Sequence, residues 1–448
     1  MAIKAEAIQD IPEGFKLTEI GPLPQDWQLP RFDEVVRETV SGDWGQDKPG
    51  DSCDLVNCYV VRGTDFQRLE QRDLSSIPRR WVKPASITKR QLQAGDLLVE
   101  LSGGSKDQPT GRVLCVDDAM LAWADRPVTF TNFVKLLRVD QARVDPWFLY
   151  RFWTYVYERG ATRVYEKRTT GIRNFKYREF LEHENFPLPP LDEQRAIAEA
   201  LFTIQQAIEA TDRVIATARQ FKSSLMRHLF TYGPVPIAEA ERVPLKETET
   251  GPVPEHWQVL RLGEMVRMAS GGTPSRANPE YFGGPIPWVK SGELNDSMIT
   301  STSETVTKDG LANSSAKIFP SGTLLVAMYG ATAGMVGILA LEAATNQAVC
   351  AIFPDAAALP GYLFHALVYR RSELLGERHG GAQPNISQTL LRAFRLARPP
   401  VAEQEKMADI LSTADHKIQA EQKHKAGLRE LFRTMLHLLM TGQVRVRD

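Results

Sequence analysis

Apolar residues recur at alternating steps of four and three along two long stretches of the chain. The first seam consists of Ile197, Leu201, Ile204, Ile208, Thr211, Ile215, Ala218, Lys222, Leu225 and Leu229. Adding 210 to each number gives the second seam: Met407, Leu411, Ala414, Ile418, Glu421, Lys425, Leu428, Phe432, Met435 and Leu439. Eight of ten positions are apolar in each seam, and a sustained repeat of 3.5 residues is typical of a coiled coil. The pattern predicts two long helices, over 191–232 and 399–448, that pair through these seams.

The segment that follows the first helix predicts the direction of pairing. A helix of ~38 residues is about 57 Å long at 1.5 Å per residue. Residues 231–247 reach at most roughly 58 Å when fully extended, so a parallel pair would need the whole segment to return along the helix. We therefore expect antiparallel helices with a globular domain at each end. The alternative is two unrelated helices, each lying on the surface of its own domain.

The segments before the two helices have a different pattern. Residues 1–190 and 233–398 are rich in Gly, Pro and Trp, and they contain short apolar runs such as GDLLVEL, FVKLLRV, GTLLVAM and AVCAIF. Such runs between turn-forming residues are typical of β-strands. The predicted fold class is α+β, with two mixed globular domains separated by a long antiparallel two-helix coiled coil.

The whole chain contains an internal duplication. Five blocks recur in the same order, with offsets that shrink from 230 to 210. They are TEIGPLPQDWQ (18–28) and TETGPVPEHWQ (248–258) at 230, GDLLVELSGG (95–104) and GTLLVAMYGA (322–331) at 227, Thr131-Asn132 and Thr345-Asn346 at 214, PWFLYRFW (146–153) and PGYLFHAL (360–367) at 214, and PPLDEQRAIAEAL (189–201) and PPVAEQEKMADIL (399–411) at 210. A preserved order indicates one duplicated unit with small insertions or deletions in its loops. The two domains are therefore expected to be pseudo-symmetric.

Composition narrows the class of protein. The 448 residues carry 54 Lys and Arg against 55 Asp and Glu, so a polyanionic partner has to be held by local patches. Four scattered cysteines do not make a disulfide framework, and Cys53 and Cys58 have no second Cys or His pair nearby for zinc. With no membrane-spanning run and no signal-peptide core at the N-terminus, we expect a soluble cytoplasmic protein without a metal site.

One local patch is strongly basic. Residues 159–178 contain seven Lys and Arg and one acid, interleaved with aromatic residues. This composition suits contacts with phosphates and base edges, but a solvated basic helix face has the same composition. The candidate DNA-binding residues here are Lys167, Arg168, Arg173 and Asn174, and Gln383 and Asn385 lie at the matching place of the second copy.

Further candidates come from aligning the two copies. V-R-G-T-D aligns with V-K-S-G-E, so a basic residue follows a strand-like stretch twice, as Arg62 and Lys290. The Ser102 turn aligns with the Tyr329 turn, where small residues let backbone N–H groups approach a phosphate. Arg276 lies in a Gly- and Pro-rich loop. Surface ion pairs and ordinary structural turns explain these positions as well.

Together, the doubled TEIGPLP/TETGPVP openings, the GTLLVAMYGATAG and PIPWVKSGEL segments and the PPxxEQ helix entries resemble the specificity (S) subunits of type I restriction–modification enzymes. The resemblance covers essentially the whole chain. It implies that each globular domain is a target recognition domain for one half of a bipartite, asymmetric double-stranded DNA site. It also implies a helical spacer that docks two methyltransferase (M) subunits, with restriction (R) subunits completing the complex. S-adenosylmethionine, ATP and magnesium are then expected on those partners, with no cofactor and no catalytic residue in this chain.

Two other functions stay open from the residues alone. The first is a DNA methyltransferase with unrecognised motifs, for which Asn278-Pro279-Glu280-Tyr281 is the nearest match to the base-holding segment, although it lacks the second proline. The second is a coiled-coil scaffold with no role on DNA. No G-x-x-x-x-G-K-[ST] phosphate loop occurs in the sequence, so an ATP-driven motor is not expected in this chain.

Overall fold

A computed structural model describes residues 11–49, 54–105, 107–169, 172–353, 355–376 and 385–446. The chain forms two compact units. The first unit comprises Met1–Ala210 together with Lys425–Asp448, and the second comprises Thr211–His424. The division falls inside the two long helices, so each unit contains a part of both. The assignment of 1–190 and 233–398 as two separate globular domains stays a prediction.

The first unit contains most of the first sequence copy. Its strands are β1 (Phe15–Thr18), β2 (Gly21–Pro24), β3 (Val36–Ser41), β4 (Val56–Val61), β5 (Arg79–Val82), β6 (Leu97–Glu100), β7 (Ser102–Gly104), β8 (Val113–Cys115), β9 (Val128–Phe130), β10 (Val134–Val139), β11 (Glu166–Thr169) and β12 (Ile172–Phe175). Its helices are α1 (Phe66–Glu70), α2 (Pro84–Lys89), α3 (Asp118–Trp123), α4 (Pro146–Glu158), α5 (Tyr177–His183) and the start of α6 (Leu191–Tyr232).

Three sheets position the candidate residues of this unit. An antiparallel sheet has the order β3-β10-β6-β8, a second sheet has the order β5-β4-β9 with β4 and β9 parallel, and a third has the order β11-β12-β7. Two cores lie around the first sheet, one of them shared with the long helices. The apolar runs GDLLVEL and FVKLLRV, predicted to be strands, correspond to β6 and β10.

The second unit repeats this plan. Its strands are β13 (Leu245–Lys246), β14 (Val253–Pro254), β15 (Gln258–Arg261), β16 (Met268–Ser270), β17 (Phe282–Val289), β18 (Ser297–Ile299), β19 (Glu304–Val306), β20 (Ile318–Phe319), β21 (Leu324–Ala327), β22 (Val336–Leu339), β23 (Ala343–Thr345), β24 (Val349–Ile352) and β25 (Arg395–Arg398). Its helices are α7 (Leu262–Met265), α8 (Lys308–Ala312), α9 (Pro360–Tyr369), α10 (Arg371–Leu375), α11 (Gln388–Ala393) and most of α12 (Val401–Met440).

The sheets of the second unit correspond to those of the first. The order β16-β24-β21-β22-β18 matches β3-β10-β6-β8 with one added strand, and β19-β17-β23-β20 matches β5-β4-β9 with another. The parallel pair β17–β23 is the counterpart of β4–β9. The duplication read from five short blocks is therefore present throughout the topology.

The long helices are antiparallel, as predicted. In the first unit, Ile197 and Leu201 near the start of α6 share a core with Leu436 and Leu439 near the end of α12. In the second unit the ends are reversed: the end of α6 shares a core with the start of α12. Helix α12 is shorter than the predicted segment 399–448, because two prolines precede it and a glycine with φ +68°, Gly442, follows it.

Every seam position of both helices is buried or half-buried. The buried seam residues are Ile197, Leu201, Ile208, Thr211, Ile215, Leu229, Met407, Leu411, Ile418 and Leu439, and the half-buried ones are Ile204, Ala218, Lys222, Leu225, Ala414, Glu421, Lys425, Leu428, Phe432 and Met435. The polar seam position Lys222 donates to Asp415 at 2.5 Å, with side chains only 16% and 24% exposed. An ion pair within an apolar seam favours one register over its neighbours.

The doubled GPxPxxW opening and the glutamate of PPxxEQ are explained by one contact. Trp27 is fully buried, and its indole N–H donates to Glu193 at 3.1 Å. In the second unit Trp257 donates to Glu403 at 2.8 Å. The C-terminal Arg445 completes the first site by ion pairs with Glu193 and Asp26, whereas His256 contacts Glu403 in the second site. Each opening segment is thus fixed to the start of its own long helix.

The glutamine of PPxxEQ fixes the loop before the preceding short helix. Gln194 is fully buried and donates to the carbonyls of Pro189 and Arg143, while its Oε1 accepts from the Asp145 N–H. Asp145 in turn caps α4 by accepting from Phe148 N–H at 2.9 Å. These contacts connect the globular part to the helix through hydrogen bonds as well as through apolar packing.

Candidate nucleic-acid interface

Arg62 begins a tight turn directly after β4. Its guanidinium donates twice to Asp65, at 2.9 Å each, and its backbone N–H donates to the same carboxylate. Asp65 is 2% exposed, while the Arg62 side chain is 43% exposed. The hydrogen bonds with Asp65 raise the pKa of Arg62 and hold its partly exposed guanidinium in place.

A cleft of about 810 Å³ lies beside this turn. It is lined by Gly42, Asp43, Trp44, Arg62, Arg90, Thr131, Asn132 and Phe133. Asn132 is exposed, and Phe133 is 55% exposed although it is a large apolar residue. Two cations, a carboxamide and an exposed aromatic ring are side chains that contact phosphates and base edges. Of these residues the sequence reasoning found only Arg62; the recurring Thr-Asn dipeptide was the one signal pointing to Asn132.

Buried Glu100 joins the Arg62 turn to strand β7. A Cβ on Gly63 of the turn would lie 2.7 Å from Glu100 Oε1, and one on Gly103 of β7 would lie 2.8 Å from the same atom. Both positions therefore need glycine. Arg112 donates to Glu100 at 2.9 Å and neutralises it. Because the two loops share this support, Arg62 and Ser102 belong to one surface.

Strand β7 pairs with the hairpin formed by β11 and β12, which places Asn174 opposite Ser102. The helix-face alternative is therefore wrong for the strand residues 166–169 and 172–175 of the basic patch. Lys167 is exposed, whereas Arg173 donates to Glu166 at 2.9 Å with side chains only 13% and 4% exposed. Arg173 therefore holds the hairpin together. The side chain of Arg168 lies outside the described part of the chain.

In the second unit, Arg276 and Lys290 lie on either side of one carboxylate. Arg276 donates to Glu304 at 2.8 Å and Lys290 donates to its other oxygen at 2.6 Å. These two hydrogen bonds, with the larger effect from Arg276, lower the pKa of Glu304. The Arg276 guanidinium also stacks over Phe282 at 4.3 Å from the ring centroid. Two predicted residues from separate loops are thus neighbours.

Tyr329 and Asn385 are paired by an isolated β-bridge. The pair matches Ser102 and Asn174 of the first unit. In both units the next residue donates its backbone N–H to the residue that directly follows β6 or β21. Phe175 N–H donates to Leu101 O at 2.7 Å, and Ile386 N–H donates to Met328 O at 2.6 Å. The Tyr329 side chain is 38% exposed. Gln383 lies outside the described residues.

The structure corrects one alignment between the copies. The sequence analysis matched Thr131-Asn132 with Thr345-Asn346 at an offset of 214. In the structure Val61 O accepts from Thr131 N–H, and its counterpart Val289 O accepts from Asn346 N–H, both at 3.0 Å. The offset in this turn is therefore 215, and Asn132 corresponds to Gln347. An identity of only two residues cannot determine the register of an alignment when the two copies differ in length by one residue nearby.

The remaining candidates have structural explanations. The Asn278-Pro279-Glu280-Tyr281 string forms a 3₁₀ turn over Pro279–Tyr281. Among the residues that the structure describes, no group of three or more His, Cys, Asp or Glu side chains is placed to hold a metal ion. Cys58 is buried, and Cys53 lies outside those residues. Within the same residues, no helix has the length and apolar character needed to cross a membrane.

Known proteins share both the sequence pattern and the fold. Residues 254–430 match the sequence model of the type I restriction modification DNA specificity domain. Two specificity subunits of Methanocaldococcus jannaschii, the putative MjaX and the MjaVIII subunits, are 23% and 25% identical over 97% of both chains. Over nearly its whole length, the chain is therefore similar in sequence to specificity subunits of type I restriction–modification enzymes. The S subunit from M. genitalium has the same fold, with a TM-score of 0.58, 16% identity and coverage of 92% of this chain and 96% of that one.

These similarities bear on two of the predictions. They confirm the resemblance read from the doubled motifs, and with it the function class of a type I restriction–modification specificity subunit. The individual DNA-contacting residues stay predictions. Among them, Arg62, Ser102 and Asn174 of one unit and Lys290, Tyr329 and Asn385 of the other lie at matching places.

Proposed function

We propose that this specificity subunit binds a bipartite, asymmetric double-stranded DNA site, with one half read by each target recognition domain. The observation that carries the proposal is the duplicated surface built from different side chains. Arg62 and Lys290 follow equivalent parallel strands, and Ser102 and Tyr329 lie at equivalent turns. Side chains that differ in chemistry at equivalent positions of the two units suit the recognition of two different half-sites.

Local cations supply the attraction to DNA in this proposal. The net charge of the whole chain is −1, so the overall field does not favour a polyanion. Arg62, Arg90 and the exposed Lys167 in the first unit, and Arg276 with Lys290 in the second, are the groups we assign to phosphate or base contact. Binding held by a few cations weakens steeply as salt concentration rises.

The proposal also includes two docked M subunits. Phe221 of α6 is 62% exposed and Leu431 of α12 is 46% exposed, and the two residues are related by the repeat offset of 210. Large apolar side chains left exposed at matched positions suit two copies of one partner. Phe202 and Ile410 are further exposed apolar residues on these helices, whereas Phe230 is buried against Tyr369. R subunits, S-adenosylmethionine, ATP and magnesium belong to the assembled complex.

The decisive experiment is genome-wide adenine methylation in the native host, with and without this gene. Loss of one gapped, asymmetric motif is the expected result and would give both half-sites at once. An unchanged methylome in a host whose M subunit is expressed would refute the proposal. A purified chain that transfers methyl groups alone would instead favour the methyltransferase alternative.

The spacer can be tested separately. Deleting four residues near Thr211, with a matching deletion near Glu421, shortens both helices by about one turn. The expected result is a shorter gap between unchanged half-sites. Altered half-sites would contradict the proposed division between recognition domains and spacer.

Docking can be tested by copurification with the M subunit. Phe221→Ser and Leu431→Ser are each expected to remove one of two M subunits, and the double variant both. Val401→Ser, at an apolar position 38% exposed at the start of α12, is the matched control. Retention of both M subunits by the double variant would contradict this docking surface.

A further inference from the structure

We infer that Asn132 and Gln347 are equivalent base-reading residues, one for each half of the DNA site. The inference rests on the proposed function and adds which side chains determine specificity. The backbone hydrogen bonds of the two turns match Asn132 with Gln347, so that a carboxamide side chain occupies the same position in both units. Asn and Gln are the side chains that bond bidentately to adenine in the major groove.

The backbone fixes both residues in the same way. On one side, Thr131 N–H donates to Val61 O and Asn346 N–H donates to Val289 O. On the other side, the carbonyls of the following residues, Phe133 and Ala348, each accept a backbone N–H from the neighbouring strand at 2.8 Å. Asn132 and Gln347 thus lie between two anchored residues, and their side chains leave the turn from a rigid base.

Two further contacts hold each turn. The residue before each carboxamide accepts, through its side chain, a hydrogen bond from the backbone N–H of the residue after it. Phe133 N–H donates to Thr131 Oγ1 at 3.5 Å, and Ala348 N–H donates to Asn346 Oδ1 at 3.2 Å. In both units a glycine also packs closely against this segment. A Cβ on Gly42 would lie 2.1 Å from Thr131 O, and one on Gly271 would lie 2.1 Å from Thr345 Oγ1. Rigid elements place side chains reproducibly, which base reading requires.

Each carboxamide is exposed and has a cation for a neighbour. Asn132 shares its cleft with Arg62 and Arg90. Gln347 accepts from Thr273, and Lys290 directly follows the Val289 that anchors its turn. In each unit, then, a group suited to an adenine edge lies beside a group suited to a phosphate or a guanine.

The surroundings of the two carboxamides differ. Beside Asn132 stand Trp44 and the exposed Phe133, both apolar and able to contact a thymine methyl group. The residues in these places of the second unit are Thr273 and Ala348, which are small. Gln347 is also one methylene longer than Asn132. The same turn therefore gives the two halves of the site different base preferences.

The test uses the full 448-residue chain with its own M subunits in a host lacking the native gene. Asn132→Ala is expected to relax one base position in one half-site, lowering discrimination there roughly tenfold or more, with the other half unchanged. Gln347→Ala is expected to act in the same way on the other half. Exposed Gln67 and Asn313, changed to alanine, are controls in the same two units and should leave the motif intact.

Conservative exchanges guard against misfolding. Asn132→Gln and Gln347→Asn keep the carboxamide, and each is expected to shift preference only in its own half. The inference is overturned if the alanine and exchange variants all methylate the wild-type motif unchanged. It is also overturned if either alanine variant, melting like the wild type, relaxes both halves equally. A wild-type chain that specifies no bipartite motif would instead refute the proposed function.

Discussion

Replacing Gln404 by alanine is expected to destabilise the second unit locally while leaving the first unchanged. Gln404 is fully buried, and its Nε2 donates to Pro399 O at 2.8 Å and to Ala357 O at 3.0 Å. Its Oε1 accepts from Leu359 N–H at 3.0 Å. One side chain thus joins the entry of α12 to the loop that begins α9.

The magnitude follows from these three bonds. Each hydrogen bond contributes a net of about 1 kcal/mol, and a buried partner left unsatisfied adds to the loss. Alanine removes all three bonds and leaves one N–H and two carbonyls without their partner. We therefore expect a loss of about 3 kcal/mol in the second unit. Gln194→Ala should have the same effect on the first unit, because its three bonds are equivalent.

Peptide-resolved hydrogen exchange is the suitable assay, because a chain of two units does not guarantee a single two-state transition. Gln404→Ala should reduce protection at Leu359 and along the start of α12, with no change around Asp145. Glu405→Ala, one residue further on at an exposed position, is the control and should change protection by less than about 0.5 kcal/mol. Loss below about 1 kcal/mol, or equal loss in both units, would refute the reasoning.

Three further predictions concern charged groups. Arg445→Ala should destabilise the first unit alone by roughly 3 kcal/mol, since Glu193 is 5% exposed and loses its cation; thermal unfolding with exchange mapping checks this. Burial, with Lys222 adding to it, lowers the pKa of His365 from 6.5 to about 3. As the pH falls below 6.5 the unfolded chain therefore binds a proton that the folded chain does not, and the second unit loses up to about 1.4 kcal/mol of stability per pH unit. His365→Asn should abolish this pH dependence of stability, and its persistence in the variant would contradict the prediction. Lys222→Met should destabilise this unit and Asp415→Leu should restore part of the loss, measured as a double-mutant cycle.

The sequence predicted the elements whose residues repeat in register. Helix α6 has the predicted bounds, because Pro189 and Pro190 precede it and Gly233 follows it with φ +81°. The seam positions are buried or half-buried because a repeat of 3.5 residues keeps them on one face. These features depend on local spacing, which one chain displays directly, and the duplication allowed each to be read twice.

Contacts between segments that are distant in the sequence could not be predicted from local spacing. The roles of Glu193 and Gln194 depend on partners 166 and about 50 residues away, as in the bond from Trp27. The repeated Glu and Gln of PPxxEQ indicated that these two positions are constrained, but they did not indicate which residues the two side chains contact. The ion pair of Arg173 with Glu166 could not be predicted for the same reason, since it depends on the pairing of strands β11 and β12. Composition reports how many cations are present, and pairing decides which of them remain available.

The duplication offers an internal comparison of what the fold requires with what recognition can vary. Buried groups that bond to fixed partners are the same in both units, as with Trp27 and Trp257 or Gln194 and Gln404. A change at such a position leaves a polar group unsatisfied, and the cost falls on the whole unit. At the anchored turn the carboxamide is exposed, and within the described part of the chain it accepts a hydrogen bond only from a threonine hydroxyl, Thr131 in one unit and Thr273 in the other. The same backbone therefore carries Asn132 in one unit and another carboxamide in the other. Positions where the structures coincide and the exposed residues differ are therefore the ones at which we expect a change of sequence to alter specificity without altering the fold.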